Sequence, residues 1–389
     1  MEFPRLDLLI YAHDGRGLGH ASRAIAVGMA MRRLFPDMRV LFLSGCKESA
    51  ELIASAHLDW IKLPSYESQV VDGKSISREG YSNFSPKEIG IMRGELIRSI
   101  VRVNDPRCIL VDHSPQGKRR ELVPALKEKS PGRTKWLLGM RAVIGDVNSV
   151  WSDTAISTFK AHYHGIVWYG DSRILGNGPL MNIHHRYSTR PREVGYVSRM
   201  KELVQLDRSL GETSDEDTAG AVSVPWTGEN TSFLLKEIAG ALERLGDGYG
   251  TWHLYLGSRV LGETESEVRE ALESLPFCVL REVGPRYFRS LLNSRVSLIY
   301  GGYNSMTDVL GAQKPSVVVV RGMQDREQED HVAKLAKQAG NLVFLEERQA
   351  HSTRLFRELK AMLESPPPAR GRVNLDGAEN TARYLASLL

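Results

Sequence analysis

Short runs of apolar, β-branched residues alternate along the chain with amphipathic stretches, the rhythm of strand–helix–strand units. In the first half Asp7-Leu-Leu-Ile-Tyr11, Val40-Leu-Phe-Leu-Ser44, Cys108-Ile-Leu-Val-Asp112, Trp136-Leu-Leu-Gly-Met-Arg141 and Gly165-Ile-Val-Trp-Tyr-Gly170 read as buried strands. In the second half the same reading falls on Ala221-Val-Ser-Val-Pro-Trp226, His253-Leu-Tyr-Leu-Gly257, Cys278-Val-Leu-Arg-Glu-Val283, Val296-Ser-Leu-Ile-Tyr300 and Ser316-Val-Val-Val-Val320. Between them the spacing predicts helices over 21–34, with Ile25, Met29 and Leu34 near one face, over 233–245, from Tyr303 until Pro315 stops it, over 325–340 and over 378–389. The first strand, helix and second strand form a βαβ unit, which implies a parallel sheet and an α/β fold.

Polar segments divide this pattern. Leu210-Gly-Glu-Thr-Ser-Asp-Glu-Asp-Thr-Ala-Gly220 is acidic and apolar-poor, the best linker in the chain. We therefore expect a first domain over 1–208, a linker over 209–220, a second domain over 221–372 and a terminal helical segment over 373–389, set off by Pro366-Pro-Pro368. The linker contains the only literal D-x-D, Asp215-Glu-Asp217. It follows no strand, so it reads as a solvated segment and not as a cation site. Arg119-Arg120-Glu121 is expected to open an amphipathic helix, its charges on a solvated face.

Two glycine-rich turns carry the candidate chemistry. Tyr300-Gly-Gly-Tyr-Asn-Ser-Met-Thr-Asp308 places Gly302 where a strand becomes a helix. Unpaired backbone N–H groups there, with the positive end of the dipole, suit a diphosphate. Tyr303, Asn304 and Ser305 lie at that helix start, and Asp308 about one turn further in could accept from ribose hydroxyls. A plain βα turn with an Asn cap is the other reading. In His13-Asp-Gly-Arg-Gly-Leu-Gly-His20 the glycines alternate and do not form G-x-G-x-x-G, and no acidic residue ends the second strand at Ser44-Gly-Cys46. Both points argue against a dehydrogenase. His20 at the following helix start is either a general base for a hydroxyl or a capping histidine. Asp112, at the carboxyl end of its strand beside His113, either orients such a base or caps its loop.

Composition narrows the class. The 389 residues are 42% hydrophobic and 25% charged, as in globular proteins of two domains. The net charge of +4 and pI of 8.8 suit anionic small substrates, and no Lys/Arg stripe interleaved with aromatics argues for nucleic acid. Cys46, Cys108 and Cys278 are scattered, as expected of reduced core thiols in a cytoplasmic protein. No apolar run reaches membrane-spanning length and no signal-peptide pattern opens the chain, so membrane contact would be peripheral. Arg32-Arg33 would serve such a contact, or simply end a helix. His162 and His164 alternate and on a strand would share a face that zinc could use, but no Cys or acidic partner stands at ligand spacing.

Gly17-Leu-Gly-His20 with Arg23, and, in the same order further on, Gly-Gly-Tyr-Asn-Ser-Met-Thr-Asp308, Lys314-Pro315, Asp325-Arg-Glu-Gln328 and Ala339-Gly340, resemble the MurG-like glycosyltransferases of family 28. Asp112-His-Ser-Pro with Gly139-Met-Arg141 resembles a group of predicted glycosyltransferases related to them. The resemblance implies a GT-B architecture: two Rossmann-like domains facing across a cleft, with a C-terminal helix returning to the first. It implies a nucleotide-sugar donor, UDP-linked and with N-acetylglucosamine as the first guess, held by the second domain. There Gly302, Tyr303, Asn304 and Ser305 would meet the diphosphate, Asp308 the ribose, Glu327 and Gln328 the sugar, and the backbone from Val283 to Tyr287 the base. Gly17, Gly19, His20, Arg23 and Asp112 would face a small-molecule or lipid-linked acceptor, and the transfer would need no metal or other cofactor. Three residues depart from the family pattern: Asp308 stands for Glu, Glu327 for Gln, and Gln313 for Gly. A nucleotide-sugar 2-epimerase and a non-catalytic nucleotide-sugar binder are the alternatives.

Overall fold

The computed structural model describes residues 5–13, 18–53, 55–71, 74–78, 83–128, 134–144, 148–210, 218–225, 230–263, 266–284, 286–320, 326–366 and 372–389. The backbone divides into two compact units, one of Met1–Glu202 with Asn374–Leu389 and one of Leu203–Val373.

In the first unit the strands are β1 (Leu8–Ala12), β2 (Val40–Ser44), β3 (Asp59–Lys62), β4 (Glu67–Val71), β5 (Lys74–Arg78), β6 (Cys108–Asp112), β7 (Lys135–Arg141), β8 (Gly165–Tyr169) and β9 (Arg192–Glu193). Seven form one parallel sheet in the order β3-β2-β1-β6-β7-β8-β9, and β4 with β5 is a separate antiparallel hairpin. Every residue of β1, β6 and β8 is buried. Burial on both faces is why these strands are apolar apart from Asp112 at the end of β6. The order reverses between β1 and β6, and such a switch point opens a crevice at the strands' carboxyl ends.

The helix after β1 runs Gly19–Leu34, so Gly19 and His20 form its first turn instead of preceding it. The C-terminal helix Gly377–Leu388 packs against it. Arg33 joins the two through Glu379 at 3.4 Å and also pairs with Glu202, from the helix Arg199–Leu210, at 2.9 Å. Arg32 donates to the carbonyls of Pro36, Met38 and His57. Both arginines are thus occupied at the helix end within this unit.

The amphipathic helix expected to open at Arg119 does not form. Arg119 and Arg120 belong to a 3-10 turn with positive φ, and the helix after it is only Val123–Leu126. Glu121 is not on a solvated face: it is fully buried against Arg93, Nε to Oε2 at 2.6 Å and Nη2 to Oε1 at 2.8 Å. Hydroxyls of Tyr11 and Tyr66 complete its shell. Arg93 comes from Pro86–Asn104, the longest helix described, which is opened by a Ser85/Glu88 capping box. His162 ends a helix and His164 precedes β8, so they share no strand face. His164 Nδ1 instead accepts from the Trp136 N–H at 3.2 Å.

The second unit holds β10 (Thr218–Val224), β11 (Thr251–Leu256), β12 (Cys278–Glu282), β13 (Ser294–Tyr300), β14 (Ser316–Val320) and β15 (Leu342–Glu346) in the parallel order β12-β11-β10-β13-β14-β15. Residues 218–220, expected in the linker, are already strand, and 209–210 end the helix Arg199–Leu210. Asp215-Glu-Asp217 lies outside the described residues. The next helix begins at Thr231, two residues earlier than its pattern suggested. Helix Tyr303–Ala312 follows β13 and ends at Gln313 in the left-handed conformation, φ 58°. Among the described residues no helix is long and apolar enough to cross a membrane.

Candidate functional site

At the switch point of the first sheet, β1 ends at Ala12 and β6 at Asp112, so His13 and His113 leave neighbouring strands at the same end. The helix beginning at Gly19 brings His20 and Arg23, one turn apart, over that end. His20 Nδ1 is hydrogen-bonded to Asp112 Oδ2, and Arg23 Nη2 donates to the same oxygen at 3.1 Å. The three imidazoles cluster: His13 and His20 centroids are 4.0 Å apart, His20 and His113 5.2 Å, His13 and His113 6.0 Å. Gly139 sits beside Asp112 in register on β7 and accepts the His113 N–H at 2.7 Å. A Cβ at Gly139 would strike the Tyr169 hydroxyl at 2.1 Å, so only glycine fits there.

Burial decides the charges. Burial lowers the His20 pKa to about 3, aided by His13 and Arg23 and opposed by Asp112. Burial also lowers His113, with His20, His13 and Arg141 adding to the effect. Asp112 is buried, which favours its neutral form, yet Arg23 and His20 outweigh burial and hold it ionised. An ionised carboxylate can only accept, so His20 Nδ1 carries the proton and Nε2 keeps a lone pair. Desolvation alone weakens such an imidazole as a base, and the Asp112 carboxylate at Nδ1 is the group that would stabilise the imidazolium formed when Nε2 takes a proton from a hydroxyl. A recess of about 810 Å³ lined partly by Leu6, Arg32, Val40 and Asp59 lies at the opposite, amino ends of the strands and includes none of these groups.

In the second unit the sheet order reverses between β10 and β13. β13 runs into Gly301 and Gly302, and Gly302 caps the helix Tyr303–Ala312 with extended backbone and no side-chain cap. The two glycines differ. A Cβ at Gly301 would meet Val320 Cγ1 at 2.5 Å, whereas one at Gly302 would meet nothing within 4 Å. Packing therefore requires Gly301, while Gly302 leaves bare backbone open at a helix start. Gly302 through Ser305 are half-buried, and Asp308 is only 6% exposed. Tyr287 is buried beside Asp308. Burial raises its phenol well above the usual range, and the Asp308 charge raises it further. Val283 is half-buried and donates its N–H to Leu256 at 2.9 Å. Glu347, buried, accepts from the Tyr300 hydroxyl and from Asn230 Nδ2 at 3.1 Å, which pins the strand end before the glycine turn.

No family model and no curated protein matches the chain. Solved structures do. The UDP-GlcNAc 2-epimerase of Methanocaldococcus jannaschii superposes with a TM-score of 0.65 at 11% identity, over 98% of this chain and 99% of the other. The Neisseria meningitidis UDP-GlcNAc 2-epimerase gives 0.59 at 12%, over 98% of each chain. Acinetobacter baumannii MurG gives 0.54 at 11%, over 99% and 100%. The chain has the GT-B fold.

On this GT-B scaffold the residues singled out in the sequence gather into two groups. His20, Arg23 and Asp112 touch one another, and Gly19 lies in the same helical turn. Gly302, Tyr303, Asn304, Ser305 and Asp308 share one helix and its cap, with Tyr287 beneath. Glu327 and Gln328 lie in the helix Arg326–Ala339, and Gly17 lies outside the described residues. His13, His113 and Glu347 were not singled out. The first two were legible in principle as polar residues directly after parallel strands; Glu347 had no local signal. Among the described residues no group of three or more His, Cys, Asp or Glu side chains is arranged to hold a metal ion.

Proposed function

We propose that the protein is a glycosyltransferase that moves a sugar from a nucleotide-sugar donor, UDP-linked, to an acceptor hydroxyl. The observation that carries this reading is His20, neutral and held by Asp112 at its Nδ1, with Nε2 left as a base. That arrangement serves deprotonation of an acceptor hydroxyl as it attacks the anomeric carbon of the donor. The open helix start at Gly302–Ser305 supports a diphosphate leaving group, whose charge backbone N–H groups and the dipole stabilise without a cation. Asp308 would accept from the ribose and Tyr287, lying against it, would fix its position; Val283 would border the base, and Glu327 and Gln328 would meet the sugar. The Neisseria meningitidis enzyme with this fold is a complex with UDP-GlcNAc, which favours UDP as the nucleotide.

A 2-epimerase has the same scaffold but needs side chains that gain and lose protons around the sugar. Asp112 is held ionised by Arg23 and His20, which argues against its carrying a proton in such a reaction. Incubation with UDP-sugars, with and without acceptors, tests the proposal. UDP release that requires an acceptor supports transfer. Formation of the epimer from donor alone, or tight binding without turnover, overturns it.

A further inference from the structure

His113 keeps a costly conformation and a costly contact. Its φ of 73° is left-handed, which for a residue with a Cβ costs about 1–2 kcal/mol. The residue is 6% exposed, and Nδ1 is buried with no hydrogen-bond partner among the described residues. An unmet buried polar atom costs about 1–3 kcal/mol more. Glycine at this position would avoid both costs and keep the backbone bond to Gly139, and what it would give up is the ring's contact with His13 and His20 and its polar Nδ1. The adjacent Asp112 has the same peculiarity: Oδ2 is shared by His20 and Arg23, while Oδ1 is buried with no hydrogen-bond partner among the described residues. Two unmet polar atoms on consecutive residues thus lie at the switch point of the sheet, where such folds hold ligands.

The chemistry of the two atoms selects the ligand. Asp112 Oδ1 can only accept, so its partner must donate; phosphate and carboxylate groups bring acceptors alone. An ammonium would donate but would meet the guanidinium of Arg23, and that of Arg141 near His113. His113 Nδ1, on a neutral ring, can donate or accept, as a hydroxyl can. We propose that Asp112 Oδ1 and His113 Nδ1 bind two neighbouring hydroxyls of an uncharged sugar or polyol, the group that the first unit presents as acceptor. Calling that group the acceptor rests on the transferase reading; its binding does not.

The test uses the full chain with ¹⁵N-labelled histidine. Methyl glycosides of glucose, galactose, mannose and rhamnose are titrated against glucosamine and glucose 6-phosphate while the imidazole signals are followed. At least one methyl glycoside should shift the His113 ring signals saturably, at least tenfold more tightly than either charged sugar. His113→Asn, which tolerates the left-handed backbone, should weaken that binding at least tenfold and leave UDP affinity unchanged. Absence of any glycoside shift, preference for a charged sugar, or affinity within twofold in His113→Asn overturns the inference. Saturable glycoside binding with no transfer from any UDP-sugar defeats the transferase reading alone. Transfer that His113→Asn leaves intact defeats this inference alone.

Discussion

Asp112, the last residue of β6, accepts a hydrogen bond from His20 Nδ1 across 92 residues of sequence. The contact follows from sheet order. β1 and β6 are neighbours, the helix after β1 starts above their shared end, and its second residue is His20. Arg23, one turn on, closes the group by donating to the same carboxylate oxygen.

His20→Ala removes the imidazole that Asp112 orients. Acceptor-dependent UDP release is expected to fall about 100-fold or more, the usual worth of a positioned base, with UDP affinity unchanged by calorimetry. Near-normal turnover would remove His20 from the chemistry.

Acid should destabilise the protein earlier than its carboxylates alone require. The folded His20 pKa is about 3 against 6.5 for a free imidazole, so between these values the unfolded chain binds a proton that the folded chain does not. Stability from this group is complete above pH 6.5 and declines as pH falls toward 3, by about 1.4 kcal/mol per unit. Urea unfolding at about pH 7 and pH 5 should show a loss on the order of 2 kcal/mol from His20, reduced in His20→Gln. An equal loss in the variant contradicts the assignment.

Asp308→Ala should weaken UDP binding severalfold or more, because a ribose left without its acceptor loses a hydrogen bond to a charged group, about 1.5–3 kcal/mol. Calorimetry with UDP reads this directly. Unchanged affinity would place the ribose elsewhere.

Glu121→Ala leaves Arg93, fully buried, without its counter-charge. A loss of about 3–5 kcal/mol is expected in chemical denaturation, whereas a solvated helix face would lose almost nothing. The same variant should not change UDP affinity, since the pair belongs to the first unit and the proposed donor cradle to the second.

Gln313→Gly should stabilise the second unit by about 1 kcal/mol. Gln313 caps its helix at φ 58°, a conformation glycine adopts without steric cost. A fall in melting temperature would show that the Gln side chain has a compensating contact.

Much of this was written locally. β1, β6, β13 and β14 are short apolar runs because parallel strands lose water on both faces, and that pattern survives in any sequence that folds this way. The glycine turn at 301–302 and the helix behind it were equally plain, since strand, turn and helix are consecutive. Boundaries shifted by a few residues, as at Gly19 and Thr218, because tertiary packing extends helices and strands past their periodic cores.

The sequence by itself determined which strands and turns exist, because periodicity and turn chemistry act over a few residues. It marked His20, Asp112 and Asp308 as polar groups at such ends. Only the tertiary structure decided that His13 and His113 join His20, that Asp112 remains charged between Arg23 and His20, and that Glu121 is buried while looking solvated. Those are matters of sheet order and desolvation. Both depend on residues far apart in the chain, and no local pattern encodes them.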